Sequence, residues 1–242
     1  MSCDKKTISL SKINSLLANL RAKGYKVYTE PNKLNIIGVR NANTNPIKFD
    51  DYIYVIFKND NNKWVGYRYN ATTDPSTKTL ASLKYNPKGT AILPEGQYED
   101  KYAIRLHNGQ YKAVAQKYGS NICVYRDYDR TDVLTFNTDS IECGSFGINI
   151  HRAKSGGADD GKGNTKNIGD YSAGCQVFQN YYCFQEFMQL AERQKDLYGN
   201  SFTYTLLDKS LRNKFLLKRG ILASALIGGA LLIYFGIKKL KK

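Results

Sequence analysis

Apolar positions along this chain follow two periods. Between Ser11 and Gly24, Ile13, Leu16, Leu17 and Leu20 recur at the three- and four-residue spacing of one helix face. Ser11 is the expected N-cap and Gly24 the expected stop. From residue 33 the period shortens. Leu34-Asn-Ile-Ile-Gly-Val39, Tyr102-Ala-Ile-Arg-Leu106, Tyr111-Lys-Ala-Val-Ala115 and Ile122-Cys-Val-Tyr125 alternate or run apolar between turn residues, as strands do. Phe146-Gly-Ile-Asn-Ile-His151 reads as a further strand, and it ends on a histidine. Helical spacing returns at Tyr182-Cys-Phe-Gln-Glu-Phe-Met-Gln-Leu-Ala-Glu-Arg193, with Phe184, Phe187 and Met188 expected in the core. The pattern predicts a mainly β domain with an N-terminal helix packed on it.

The C-terminus has a third pattern. Gly220 to Ile237 is 18 residues without a charge, preceded by Lys218 and Arg219 and followed by Lys238, Lys239, Lys241 and Lys242. At about 1.5 Å per residue such a helix spans about 27 Å, near the thickness of a hydrocarbon core, and the lysines can reach the headgroups. The expectation is a C-terminal transmembrane helix and membrane contact through residues 220–237. Three segments follow: 1–49, a helix-strand accessory segment; 50–210, the main domain; and 211–242, the basic-flanked membrane segment.

Composition sharpens this picture in two places. The chain of 242 residues carries a net charge of +15, but eight of its 36 basic residues and none of its 21 acidic residues lie from Arg212 onward. Basicity gathered around an apolar tail points to a membrane surface, and no zinc-finger or RNP-type pattern is present, so no nucleic acid is expected as partner. The five cysteines, Cys3, Cys123, Cys143, Cys175 and Cys183, are odd in number and irregularly spaced without a CxxC, so neither a zinc site nor a disulfide scaffold is expected. Asp127, Asp129 and Asp132 are expected to form a solvated turn, since the Gly and terminal Glu of a calcium loop are missing. No metal and no cofactor are expected. Met1 to Lys23 is charged and amphipathic, without the apolar run of a secretory signal.

The candidate chemistry lies between His151 and Cys175. A strand ends on one of only two histidines, a Gly/Asn/Lys/Asp run from Gly156 to Gly169 follows, and Tyr171-Ser-Ala-Gly-Cys175 then presents a thiol from a turn of small residues. A thiol is a useful nucleophile as its thiolate, and an adjacent imidazole supplies the base. Ser172, Ala173 and Gly174 are small enough for the backbone N–H groups beside Cys175 to approach a substrate carbonyl. The connecting run is expected to wall the cleft. His107 is expected to be structural or substrate-facing.

These residues carry a resemblance. Ser172-Ala-Gly174-Cys175 is similar to the Ser-x-Gly-Cys of the L,D-transpeptidase catalytic domain family, preceded in that family by a His-Gly. Leu93-Pro-Glu-Gly-Gln-Tyr98 resembles its upstream Thr-Pro-x-Gly-x-Phe/Tyr, departing at the Thr. Tyr52-Ile-Tyr-Val-Ile-Phe57 and Trp64-Val-Gly-Tyr-Arg-Tyr69, running into Ala71-Thr-Thr-Asp74, resemble its opening hairpin. The order of elements agrees over about residues 50–190. Two positions depart: Arg152 stands where the family has Gly, and Val177 where it has Arg.

The resemblance implies a mainly β, β-sandwich or barrel-like L,D-transpeptidase fold and acyl transfer on peptidoglycan stem peptides. Cys175 would attack a peptide carbonyl, and His151 would take the thiol proton and return it to the leaving amine. Gly174 and Cys175 N–H are the expected oxyanion donors, and Ser172 would orient the turn or the imidazole. The imidazole and the turn amides are expected to stabilise the thiolate, making Cys175 the most alkylation-sensitive of the five thiols. Water as acceptor gives a carboxypeptidase or lysin; an amine gives a cross-linking transpeptidase. The expected location is membrane-associated, acting on the cell wall, or in a virion if the source is a phage. The alternatives are a non-enzymatic wall-binding or virion structural protein of the same fold, and a tethered protein acting with a pore-former.

Overall fold

The computed structural model describes residues 2–42, 45–82, 87–136 and 139–209. Segment 211–242 and its expected transmembrane helix, 220–237, lie outside the described residues. Among those described, no helix is long and apolar enough to cross a membrane. The described residues are mainly β, with 36 % of them in strands and 18 % in helices.

The elements in chain order are β1 (Lys6–Thr7), α1 (Leu10–Ala22), β2 (Asn35–Arg40), β3 (Asp51–Lys58), β4 (Trp64–Thr72), α2 (Thr77–Leu80), β5 (Thr90–Ile92), β6 (Gly96–His107), β7 (Tyr111–Gln116), β8 (Ile122–Asp127), β9 (Ile141–Gly144), β10 (Ile150–Arg152), β11 (Gln176–Phe178), α3 (Tyr181–Tyr198) and β12 (Phe202–Asp208). Among the described residues, nine strands form one sheet in the order β1-β4-β11-β10-β7-β6-β12-β2-β3, and β3 also pairs with β4. That last pairing closes the sheet on itself, so its strands present few free edges. Pairs β10–β11 and β12–β2 are parallel, and the rest are antiparallel. A small sheet, β5-β8-β9, stands beside it.

The long apolar runs arise because several strands are covered on both faces. In β3, Ile53, Val55 and Phe57 belong to the main core, while Tyr54 and Ile56 belong to a second cluster under α1. Strands β2 and β12 divide in the same way, Ile36 and Leu206 facing one cluster, Ile37 and Leu207 the other. Helix α1 brings Ile13, Leu16, Leu17 and Leu20 to that second cluster, all buried. At roughly 1.5–3 kcal/mol for each such side chain, this face is what fixes the helix to the sheet. The N-cap is Ser9 rather than Ser11, its Oγ accepting from Lys12 N–H, because helical backbone already begins at Leu10. Gly24 takes the left-handed conformation expected of the stop, with φ +73°. Strand β2 lies between β12 and β3, so the segment 1–49 contributes a strand to the large sheet.

The cysteines depart from expectation. Cys3 is bonded to Cys183, and Cys123 to Cys143, leaving Cys175 as the one free thiol. Sequence spacing hides this because one bond joins residues 180 positions apart and the other crosses from β8 to β9. The first bond ties the N-terminal arm to α3, whose Phe184, Phe187 and Met188 are buried in the main core as expected. Asn180 caps α3, its Oδ1 accepting from Tyr182 and Cys183 N–H. Asp127 also departs from the solvated turn: it is fully buried, its Oδ2 accepts from Thr135 N–H, and burial pushes its carboxyl up to about 6.

Candidate functional site

Strands β10 and β11 run parallel and side by side, pairing Ile150 with Gln176 and His151 with Val177. Cys175, one residue ahead of β11, therefore comes level with Asn149. Side chains two apart share a face of a strand, so Cys175, Asn149 and His151 face the same way. They line one cavity of about 720 Å³ together with His107, Tyr111, Gly147, Arg152, Tyr171 and others. The strand read from Phe146 is regular only over Ile150–Arg152, and the stretch before it is a loop.

The loop is held by one side chain that the sequence pattern did not mark. Gln116 ends β7 and is buried, and its Oε1 accepts from Phe146, Gly147 and Ile148 N–H at 3.1, 2.9 and 3.2 Å. Its Nε2 donates to Ser120 and Gly144 carbonyls, and its backbone N–H to Asn149 Oδ1. The thiol rests on this loop. Cys175 Sγ donates to Gly147 O and accepts from Asn149 N–H, both at 3.4 Å.

The cysteine turn is fixed from the other side. Buried Ser172 donates from Oγ to Cys175 O at 2.9 Å, and its own carbonyl accepts from Ser76 N–H and Thr79 Oγ1. Ser172 thus orients the turn, one of its two expected roles, and not the imidazole. Gly174 has φ +114°, and a Cβ there would lie 2.5 Å from Ala91 O, so only glycine fits. Its N–H is turned to Ser172 Oγ at 3.3 Å, which withdraws it from the expected oxyanion pair. Cys175 N–H makes no hydrogen bond among the described residues and is the remaining candidate donor.

His151 is almost fully buried. Its Nδ1 lies 2.8 Å from Arg152 O, and a carbonyl only accepts, so Nδ1 carries the proton and Nε2 is left with its lone pair. Tyr111 Oη supports the same pair, 3.3 Å from both Nδ1 and Arg152 O. The second histidine is next to it. The His107 and His151 rings stack with centroids 4.0 Å apart at 19°, and His107 Nδ1 is 3.0 Å from Asn149 Nδ2. Asn149 Oδ1 is occupied by Gln116 N–H, which leaves its amide to donate and His107 Nδ1 to accept.

The charge state differs from expectation. Burial pushes the Cys175 thiol up to about 11, with only Asn149 N–H acting downward. Burial, then the neighbouring His107, holds His151 down at about 3. The resting pair is a neutral thiol and a neutral imidazole rather than a stabilised thiolate. The thiol's hydrogen-bond partners are Gly147 and Asn149, and among the described residues none joins it to His151. The run from 156 to 169 is a loop as expected, and the cavity wall beyond His151 is made instead by Ala153, Lys154, Ser155, Asp170 and Tyr171 at the run's two ends. The chain as a whole matches no protein-family model, no curated protein and no solved structure.

Proposed function

We propose that this chain is a cysteine-dependent acyl-transfer enzyme acting on peptides of the cell wall, with the L,D-transpeptidase type of fold and site. The observation that carries the reading is the cleft itself: the chain's one free thiol, in the turn entering β11, and an imidazole on the adjacent parallel β10 with an unprotonated Nε2 both line it. In this mechanism the thiol leaves Gly147 O and passes its proton to His151 Nε2 as Sγ bonds to the peptide carbonyl. Cys175 N–H faces the developing oxyanion. The C–N bond then breaks, the imidazolium returns the proton to the leaving amine, and a thioester remains on Cys175. Water or a second amine attacks the thioester, His151 takes its proton, and the thiol is regenerated. Water makes the protein a hydrolase, and an amine a cross-linking transferase.

The two disulfides support a domain that works in an oxidising place, outside the cytoplasm or in a virion. Residues 220–237 would hold it at a membrane. The resting hydrogen bond of Sγ to Gly147 O, in place of one to the imidazole, favours a second reading: a non-enzymatic wall-binding or virion protein of the same fold. Incubating the detergent-solubilised full chain with defined disaccharide-tetrapeptides, and weighing the products, separates the two. The enzyme reading expects a released amino acid or a cross-linked dimer that vanishes in Cys175→Ala and in His151→Ala. Unchanged substrate with the wild-type chain supports the second reading.

A further inference from the structure

Arg152 follows His151 on β10 and lines the cavity that holds Cys175. Its guanidinium lies 4.0 Å from the centroid of the Tyr111 ring and 5.5 Å from that of Tyr181, and Nη1 donates to Ala153 O at 3.0 Å. These contacts hold the group in place without neutralising it. The other charged side chains on the cavity wall are paired, Lys154 with Asp159 and Asp170 with Lys78. Among the described residues no carboxylate lies within ion-pair distance of Arg152. The cleft therefore presents one fixed, uncompensated cation beside the imidazole.

We propose that Arg152 is the specificity-determining residue of this cleft and receives a free carboxylate of the substrate, on the leaving-group side of the bond that Cys175 attacks. The inference rests on the acyl-transfer reading above, in which His151 returns the proton to the leaving amine. The Arg152 guanidinium stacks on Tyr111, whose hydroxyl lies 3.3 Å from His151 Nδ1, and this contact brings it near the leaving residue. An amino acid's own carboxylate is two bonds from its amine, within reach of such a group. A planar guanidinium suits this task because it binds both carboxylate oxygens and never loses its charge. The aromatic and carbonyl contacts fix its orientation beforehand, which lowers the entropy lost on binding. The carboxylate would also offset a cation that helps to keep His151 neutral, so the imidazole becomes more basic when substrate arrives.

The test measures binding by isothermal titration to the solubilised full chain carrying Cys175→Ala, which removes turnover. The probes are a wall tetrapeptide with a free C-terminal carboxylate and the same peptide as its C-terminal amide. The acid is expected to bind about 10- to 100-fold tighter than the amide, the range of a charge-assisted hydrogen-bonded pair. Adding Arg152→Gln should abolish that preference and leave amide binding within about twofold, while Arg152→Lys should restore part of it as a point charge without the fork. Equal binding of acid and amide with Arg152 present, or an equal loss of both on Arg152→Gln, overturns the assignment and leaves the acyl-transfer reading standing. No binding of either peptide overturns both. Circular dichroism of each variant confirms that the fold is kept.

Discussion

Raising the pH against an alkylating agent probes the resting state of Cys175 directly. The thiol is pushed up to about 11 by burial, against about 8.5 for a free cysteine. At pH 7 that leaves about one thiolate in 10,000 molecules, about 300-fold fewer than for a free cysteine. Each such thiolate is more nucleophilic by about tenfold, from a Brønsted slope of about 0.4–0.5. Cys175 should therefore react with iodoacetamide about 30-fold more slowly than a free cysteine at pH 7. The rate should climb about tenfold per pH unit between about pH 7 and 10, without a plateau. His151, held down at about 3, stays neutral over this whole window and adds no acid limb. His151→Ala should leave the profile within about threefold, since a neutral ring supplies no charge to stabilise the thiolate. The assay is the pseudo-first-order loss of unlabelled protein by intact mass, with circular dichroism at each pH to show that the fold persists. A plateau with a midpoint below about pH 8, lost in His151→Ala, would show a preformed thiolate–imidazolium pair and refute the neutral resting state.

Three further outcomes are expected. Gln116→Ala removes the acceptor of three N–H groups under Gly147 and should lower stability by about 2–4 kcal/mol in urea unfolding, with loss of any turnover; an unchanged midpoint contradicts its role. Under denaturing, non-reducing conditions one thiol per chain should label, and all five after reduction; by chain entropy the bond across 180 residues should contribute about 5 kcal/mol and that across 20 about 3, so Cys3→Ser should lower the unfolding midpoint more than Cys123→Ser, and the reverse order counts against the account. The full chain should float with liposomes, and charged replacements Leu226→Asp and Leu231→Asp should release it, each costing about 2.5–3.5 kcal/mol on insertion scales; flotation unaffected by both would remove residues 220–237 as the anchor.

The strands and helices were legible wherever burial imposes a period. Ile13, Leu16, Leu17 and Leu20 face one way because α1 has one buried face, and Phe184, Phe187 and Met188 read correctly for the same reason. The closure of the sheet by β3–β4 pairing was not legible, because pairing partners leave no period in either strand. At the site, the sequence marked the residues with intrinsic chemistry, His151 and Cys175, and the small residues between them. It did not mark Gln116, Asn149 or Tyr111, which act by position: an amide or phenol looks the same in sequence whether it is solvated or holds a loop. His107, read as structural or substrate-facing, stacks on His151, a contact made by two distant strands. The thiolate expectation takes a nearby imidazole as sufficient, whereas burial acts on both groups and favours their neutral forms.

In the enzyme reading, Cys175 carries an acyl group taken from a wall peptide. Intact-mass analysis of the full chain, quenched in acid within seconds of mixing with a disaccharide-tetrapeptide, tests it most directly. The expected result is a mass increase equal to the acyl part of the peptide, mapped by proteolysis to the peptide containing Cys175 and absent in Cys175→Ala. An adduct on any other residue, or none with the wild-type chain while the peptide is consumed, would contradict it.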